Sequence, residues 1–348
     1  MRTISRDDAR AFLVAHHGLA RPRRERGARG VRAMLDALGC VQLDPLDPMG
    51  TNADLVALAR VDGIAKGDVF AHAYPGHAFE HFAKERCLLP ARAFPHYRDR
   101  IAQTPWWRLG DRLERLPAGV IEAVRDEIAA RGPLSASELT DHGPVEAIDW
   151  SGWKGTSKAA SMALEVLWTR CEIVVAGRSA RGKLFDVPAR ALPTVHDLEP
   201  GEPFERWAIR ERVGAAGLLT RASGPSWSML KDARSSGVVD EMIADGSIEE
   251  IAIEGAKRSY LAPRGGLGRR VAEPDDRMRI LGPLDPLLWD RALVEHAFGF
   301  EYVWEVYKPA SARRWGWYVH PLLHRGVLVG RIEGRAEDGV LRIDRVWL

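Results

Sequence analysis

The sequence predicts an α+β fold in which small units of short helices, each closed by a β-hairpin, repeat along the chain and an all-β module follows. Three observations carry that expectation. Two separate stretches read as a helix, then two strands joined by a turn, each reaching a proline (Pro188 and Pro263). Past residue 279 the apolar residues fall in short runs between turn residues, as in β-strands. The chain has 348 residues, and roughly 100–200 residues per domain leaves room for two to four structural units.

Taken in order, Ser5 with Asp8 three residues on forms a capping-box pattern, and Ala9, Phe12 and Leu13 continue it as an apolar helical stripe. Arg32 to Leu38 is a second short helix, which Gly39 can terminate. Cys40 to Asp44 then reads as extended until Pro45 stops it. Ile121, Val124 and Ile128 mark a helix ending at Gly132-Pro133, and Leu134 to Leu139, with its serines, reads as another short helix. Ala160, Ala163, Leu164, Leu167 and Trp168 make an amphipathic helix. Two strands follow, 172–177 and 183–187, joined by a basic turn. The pattern recurs downstream. Val238, Val239, Met242 and Ile243 share a helical face, Ile251 and Ile253 alternate as a strand, and Arg258 to Ala262 returns.

Helices followed by a two-stranded wing are the layout of a winged helix, in which one helix enters the major groove of DNA. Any small α+β domain with a hairpin shares part of this pattern. The expected units are residues 1–130, 131–198 and 199–263. Residues 264–279 read as a linker. Strands at 303–307, 317–323, 327–332 and 340–347 would build a small C-terminal β-barrel within 276–348.

Composition excludes several classes. Apolar residues make up 46% and charged residues 28%, as in ordinary globular proteins. No apolar run approaches the ~20 residues needed to span a bilayer, and the N-terminal decapeptide MRTISRDDAR lacks a signal-peptide core. The cytoplasm is the expected compartment. Cys40, Cys87 and Cys171 form no CxxC pair and read as buried thiols rather than disulfides or zinc ligands. The net charge of +2 says little about partners, but its distribution says more. Residues 21–32 hold six arginines, Arg23 and Arg24 among them, against Glu25 alone. Residues 308–335 carry Lys308, Arg313, Arg314, Arg325, Arg331 and Arg335 against Glu333 alone. Such clusters can neutralise phosphate, although either one singly reads as a solvated face.

Gln42 and Asp44 are the candidate catalytic pair. Two positions apart on an extended segment, they point to one face while Leu43 points to the other. A carboxylate beside a carboxamide can hold and deprotonate one water, and the carboxylate can stabilise the oxocarbenium-like state of glycosidic cleavage. The competing reading is a turn, since Asp-Pro commonly begins one. His72, His77 and His81 lack a third metal ligand at telling spacing and no HExxH motif is present, so no metal site is expected there. Gly265 to Gly268 follows no clear strand and is not read as a nucleotide loop. Trp106-Trp107 and Trp315-Gly316-Trp317 can stack on bases, though core packing is the commoner role for tryptophan.

The stretch Leu38-Gly-Cys-Val-Gln-Leu-Asp-Pro45 resembles the catalytic signature of winged-helix DNA glycosylases of the AlkZ/YcaQ type, in its Gln-x-Asp form. Further stretches resemble that family's C-terminal signatures: 284–291 (LDPLLWDR), 298–300 (FGF), 305–309 (EVYKP), 314–318 (RWGWY), 321–324 (PLLH) and 329–331 (VGR). The resemblance implies tandem winged helices with a C-terminal β-barrel. It also implies monofunctional hydrolysis of N-glycosidic bonds of bulky or crosslinked N7-alkylated purines in double-stranded DNA, without metal or cofactor. A monomer associated with the nucleoid is expected, with Arg23, Arg24, Lys84, Lys158, Arg313, Arg314, Trp315 and Arg331 on DNA. In one place the chain departs from the pattern: Lys84 stands where a histidine is expected. Two other functions fit parts of the sequence. A non-catalytic DNA-binding regulator or lesion protector would use the same arginines, and a metal hydrolase would use the His72–His81 region.

Overall fold

The computed structural model describes residues 1–20, 25–98, 109–148, 155–268 and 273–348. The chain is mixed α+β and divides into two compact units. One comprises Met1–Val69, Phe82–Leu88 and Glu205–Leu348, and the other Phe70–His81 and Leu89–Phe204.

One order of elements occurs three times. Among the described residues it is a helix, a two-residue strand, one or two further helices, and a hairpin. The first copy is helix Gly27–Leu38, strand Val41–Gln42, helices Asn52–Leu58 and Asp68–Ala73, and strands Ala78–Ala83 and Glu85–Pro90. The second is helix Val120–Arg131, strand Leu134–Ser135, an inserted pair of short strands Pro144–Glu146 and Thr156–Lys158, helix Ala159–Thr169, and strands Val174–Ser179 and Gly182–Asp186. The third is helix Phe204–Ala216, strand Leu219–Thr220, helices Lys231–Ser235 and Val238–Ala244, and strands Ile248–Ile253 and Ser259–Pro263. In every copy the two-residue strand lies beside the last strand of its hairpin.

Local chemistry explains many of the boundaries. Ser5 caps helix Arg6–His16 by accepting from the Asp8 N–H, and Gly39 ends helix Gly27–Leu38 at a φ of +69°. Other boundaries differ from the expectation. Leu134 and Ser135 form a strand paired with Phe185 and Leu184, not a helix. The Glu138 carboxylate accepts from the Ser135 N–H and hydroxyl, so the serine serves a turn. Residues 303–307 form no strand. Instead helix Arg291–Phe298, capped by Asp290 and ended by Gly299 in the left-handed region, occupies the start of the C-terminal segment. The expected barrel is, among the described residues, a four-stranded antiparallel sheet in the order Arg279–Ile280, Val319–His324, Val327–Glu337, Val340–Trp347. Its last strand is exposed along nearly its whole length, so it offers little apolar surface for closure. Gly266–Gly268 follows strand Ser259–Pro263 as a single tight turn. The supposed linker is partly built in, because Arg279 is buried on the Asp275 carboxylate, with one contact of 2.8 Å.

In the first unit, Phe12, Leu13 and Val14 pack with Ile251, Ile253 and Tyr260 of the third hairpin and with Leu293, Val294 and Phe298. Each such side chain contributes about 1.5–3 kcal/mol when fully buried. The N-terminal strand Arg2–Ile4 extends that hairpin's sheet in parallel, a pairing with no local signal. Arg60 meets Asp285 in a bidentate pair at 2.7 and 2.9 Å, with both side chains almost wholly buried. Removing either partner leaves a buried charge and costs about 3–5 kcal/mol.

In the second unit, buried Glu80 accepts from Tyr74 at 3.1 Å, from Arg178 at 2.6 Å and from Lys183. Three donors offset the cost of burying the carboxylate. His81 stacks on Trp168 with centroids 5.0 Å apart and meets the Thr169 carbonyl at 3.1 Å, so this histidine is an interior packing element. Cys40, Cys87 and Cys171 are buried and form no disulfide.

Candidate active site

Strand Val41–Gln42 pairs with Glu85–Pro90 in the register Val41↔Leu88 and Gln42↔Cys87, and the Leu43 N–H donates to the Arg86 carbonyl at 2.8 Å. Val41 is wholly buried, Gln42 is 8% exposed, and Leu43 and Asp44 are half-buried. The expected alternation therefore holds only in part. Val41, not Leu43, is the core residue, because the ladder ends at Gln42 and the chain turns at Pro45.

Gln42 is fixed at both ends. Its carbonyl accepts from Asn52 Nδ2 at 2.7 Å, and Asn52 Oδ1 in turn accepts from the Leu284 N–H at 3.0 Å. Its side-chain Oε1 accepts from Lys84 Nζ at 3.3 Å. An ammonium has no acceptor to offer, so the amide must turn its oxygen to Lys84, which leaves its NH2 to donate elsewhere. Lys84 is 8% exposed and lies 5.2 Å from the Trp289 ring centroid. Burial pushes its pKa below the ordinary lysine value. The ammonium thus serves Gln42 from within the fold.

Both oxygens of the Asp44 carboxylate are held. Oδ1 accepts from the Leu46 N–H at 3.1 Å, as an aspartate opening a turn does. Oδ2 accepts from the Tyr318 hydroxyl at 2.9 Å, across 274 positions of sequence. Burial first, then the Asp44 charge, hold the Tyr318 phenol protonated well above the usual tyrosine range. The phenol is therefore a fixed donor to the carboxylate.

Two glutamates shape the segment that delivers Tyr318. Glu305 accepts from the N–H groups of Arg314 at 3.1 Å and Trp315 at 2.7 Å and from Lys308 Nζ at 2.8 Å. Although burial opposes ionisation, Lys308 and these two N–H groups hold Glu305 down to about 2. Glu333 accepts from the Trp317 N–H at 2.6 Å and the Tyr318 N–H at 3.3 Å. Between them Gly316 has a φ of +157°, and a Cβ there would come within 2.6 Å of the Glu333 carboxylate. Glycine is required at that position.

Of the expected DNA-binding residues, Arg314, Trp315 and Arg331 stand together, with Arg313 beside them in sequence. Arg314 is exposed, pairs with Glu301 at 2.6 Å and lies 4.5 Å over the half-buried Trp315 ring. Arg313 donates to the Lys308 carbonyl at 2.8 Å. Arg331 is buried, 3.9 Å from the Trp315 ring and 4.3 Å from Phe300, and donates to the Glu301 carbonyl. Lys158, exposed, precedes helix Ala159–Thr169 in the other unit. Arg23, Arg24, Trp106 and Trp107 lie outside the described residues. Sequence reasoning placed Tyr318 and Glu305 in signatures but gave them no role, counted Glu333 only as a charge, and missed Asn52. None of these has a local signal, because each acts on a residue distant in sequence or through a backbone N–H. Among the described residues no three His, Cys, Asp or Glu side chains gather as a metal set, and no helix is long and apolar enough to cross a membrane.

A solved structure of similar fold is the DNA glycosylase AlkZ of Streptomyces sahachiroi, at a TM-score of 0.59 and 18% identity, covering 99% of this chain and 91% of that one. At that identity the likeness concerns the fold. The family model described as DNA glycosylase AlkZ-like matches residues 35–348, nearly the whole chain and all of the site around Gln42 and Asp44. The protein belongs to the AlkZ-like DNA glycosylase family, enzymes that hydrolyse N-glycosyl bonds.

Proposed function

We propose that this DNA glycosylase removes bulky or crosslinked N7-alkylated purines from double-stranded DNA, with Asp44 and Gln42 as its catalytic pair. The observation that carries the assignment is the Asp44 carboxylate, held by the Tyr318 hydroxyl and the Leu46 N–H two residues from an amide that Lys84 orients. An N7-alkylpurine is already cationic, so it departs with the C1′–N9 bonding electrons and needs little acid assistance. Asp44 balances the positive charge that develops on the sugar and takes the proton of the water that adds to C1′. The free NH2 of Gln42 donates to that water and holds it.

The threefold recurrence of helix, short strand and hairpin supports three winged-helix units, expected at 1–130, 131–198 and 199–263; the helix that opens the second copy, Val120–Arg131, moves the first boundary to about residue 120. Residues 276–348 form the C-terminal module. In this reading Arg23, Arg24, Lys158, Arg313 and Arg314 neutralise phosphates, and Trp315 stacks on a base. Arg331 acts through the Trp315 ring that it covers. Lys84 acts beside the reacting nucleotide.

The test is incubation with duplexes carrying 7-methylguanine or a bulky N7 adduct, scored for abasic sites. Abasic sites at the modified purine and none in unmodified DNA are expected. No release from either substrate overturns the substrate assignment.

A further inference from the structure

A cleft of about 310 Å3 opens beside this site. Lys84 and Leu284 line it, and both also lead to Gln42: the Lys84 ammonium donates to Gln42 Oε1, and the Leu284 N–H donates to the asparagine that holds the Gln42 carbonyl. The Trp289 indole, anchored by its N–H to the Leu284 carbonyl at 3.2 Å, supplies an aromatic wall. Asp290 also lines the cleft. Its Oδ1 accepts from the Leu293 N–H at 3.1 Å, whereas its Oδ2 is buried without a hydrogen-bond partner. Arg258 and Arg291 line the cleft as well, both exposed, and neither pairs with a described residue.

An unsatisfied buried carboxylate oxygen calls for a donor. An aromatic wall calls for a flat ring, and two unpaired guanidinium groups call for phosphate. We propose that the cleft receives the purine of the target nucleotide turned out of the duplex, with its flanking phosphates on Arg258 and Arg291. Asp290 Oδ2 accepts from the exocyclic amino group, and Trp289 lies against the ring. The inference rests on the glycosylase reading for its choice of nucleotide. It adds an electrostatic consequence. Lys84 lines the cleft and Asp44 is not among its lining residues, so a cation is disfavoured on a purine held there, while the Asp44 carboxylate favours it on the sugar. That is the direction in which charge moves as the bond breaks.

The test is binding of the whole protein to two fluorescent duplexes, by anisotropy. One carries 7-methylguanine on a 2′-fluorinated sugar, which resists cleavage, and the other a tetrahydrofuran abasic analogue at the same position. The parent protein should prefer the base-bearing duplex. Asp290→Asn keeps an oxygen for the Leu293 N–H but replaces the free acceptor with a donor. It should lose roughly ten- to hundredfold in affinity for the base-bearing duplex, the range for a hydrogen bond to a charged group, and little for the abasic one. Arg258→Ala with Arg291→Ala should weaken both duplexes alike. An undiminished preference in Asp290→Asn, or no preference in the parent, overturns the proposal. Cleavage of the ordinary 7-methylguanine duplex is scored in parallel. If the parent cleaves while the cleft variants bind and cleave as it does, the cleft assignment fails and the glycosylase reading stands. If the parent does not cleave but its base preference depends on Asp290, the reverse holds.

Discussion

Replacing Asp44 with asparagine separates chemistry from structure at the site. Asn is isosteric, and its oxygen can still accept from the Leu46 N–H now 3.1 Å from Oδ1. Its NH2 would face the Tyr318 hydroxyl now 2.9 Å from Oδ2, and that oxygen can accept in return. The contact survives with its polarity reversed and without charge assistance. Hydrogen bonds to charged groups contribute about 1.5–3 kcal/mol and neutral ones about 0.5–1.5, so the fold should lose about 1 kcal/mol. That corresponds to a fall of about 2–4 °C in Tm for a chain of some 150–250 residues, and less for a longer one. Cleavage should fall far more, by ~10²–10⁴-fold from the lost base alone, because a neutral amide neither deprotonates water nor balances an oxocarbenium charge. Single-turnover formation of abasic sites gives the rate, anisotropy the affinity and thermal melting the stability. Affinity should stay near the parental value. Gln42→Ala should lose less rate, since it only holds the water. A folded Asp44→Asn protein releasing modified base at the parental rate would refute the assignment and leave Asp44 as a turn residue.

Tyr318→Phe keeps the buried ring but removes the donor to Asp44, so the cleavage rate should drop about tenfold with DNA affinity unchanged; a parental rate would show that the phenol positions nothing. Val41→Ala should lower the melting temperature clearly, at about 2 kcal/mol, and Leu43→Ala much less; the reverse order would contradict the burial pattern. Glu305 is held at about 2 against an ordinary 4.5. Its folded form is the stronger acid, so its stabilising contribution is complete above the ordinary value and is lost as pH falls toward 2. Glu305→Gln should therefore flatten the acid limb of a stability profile, and an unchanged limb would count against this role. DNA affinity should be strongly salt-dependent and weakly sequence-dependent, with the slope of log K on log salt shrinking by ~0.9 for each phosphate no longer neutralised; Arg313→Ala with Arg314→Ala leaving that slope unchanged would remove these two from the interface.

Much of this protein was legible in the sequence, for a physical reason. Local free-energy preferences mark helix ends and hairpins, and they act between residues a few positions apart. The cap at Ser5, the stop at Gly39, the helix ending in Trp168 and the hairpins after it and after Asp245 all follow from such preferences. The candidate pair Gln42 and Asp44 could be singled out because both residues belong to one short segment, which resembles a family signature. Tertiary structure overrode local preference elsewhere. Leu134 and Ser135 became a strand because Phe185 and Leu184 offered a ladder, and the last strands stayed an open sheet among the described residues. Only the folded chain decided what surrounds the pair. Lys84 turns the Gln42 amide, Tyr318 reaches Asp44, and Asn52 links the Gln42 carbonyl to Leu284. Those partners lie 10 to 274 positions away. A carboxylate's chemistry depends on the donors brought to it in space, and no spacing rule along a chain records which donors those will be.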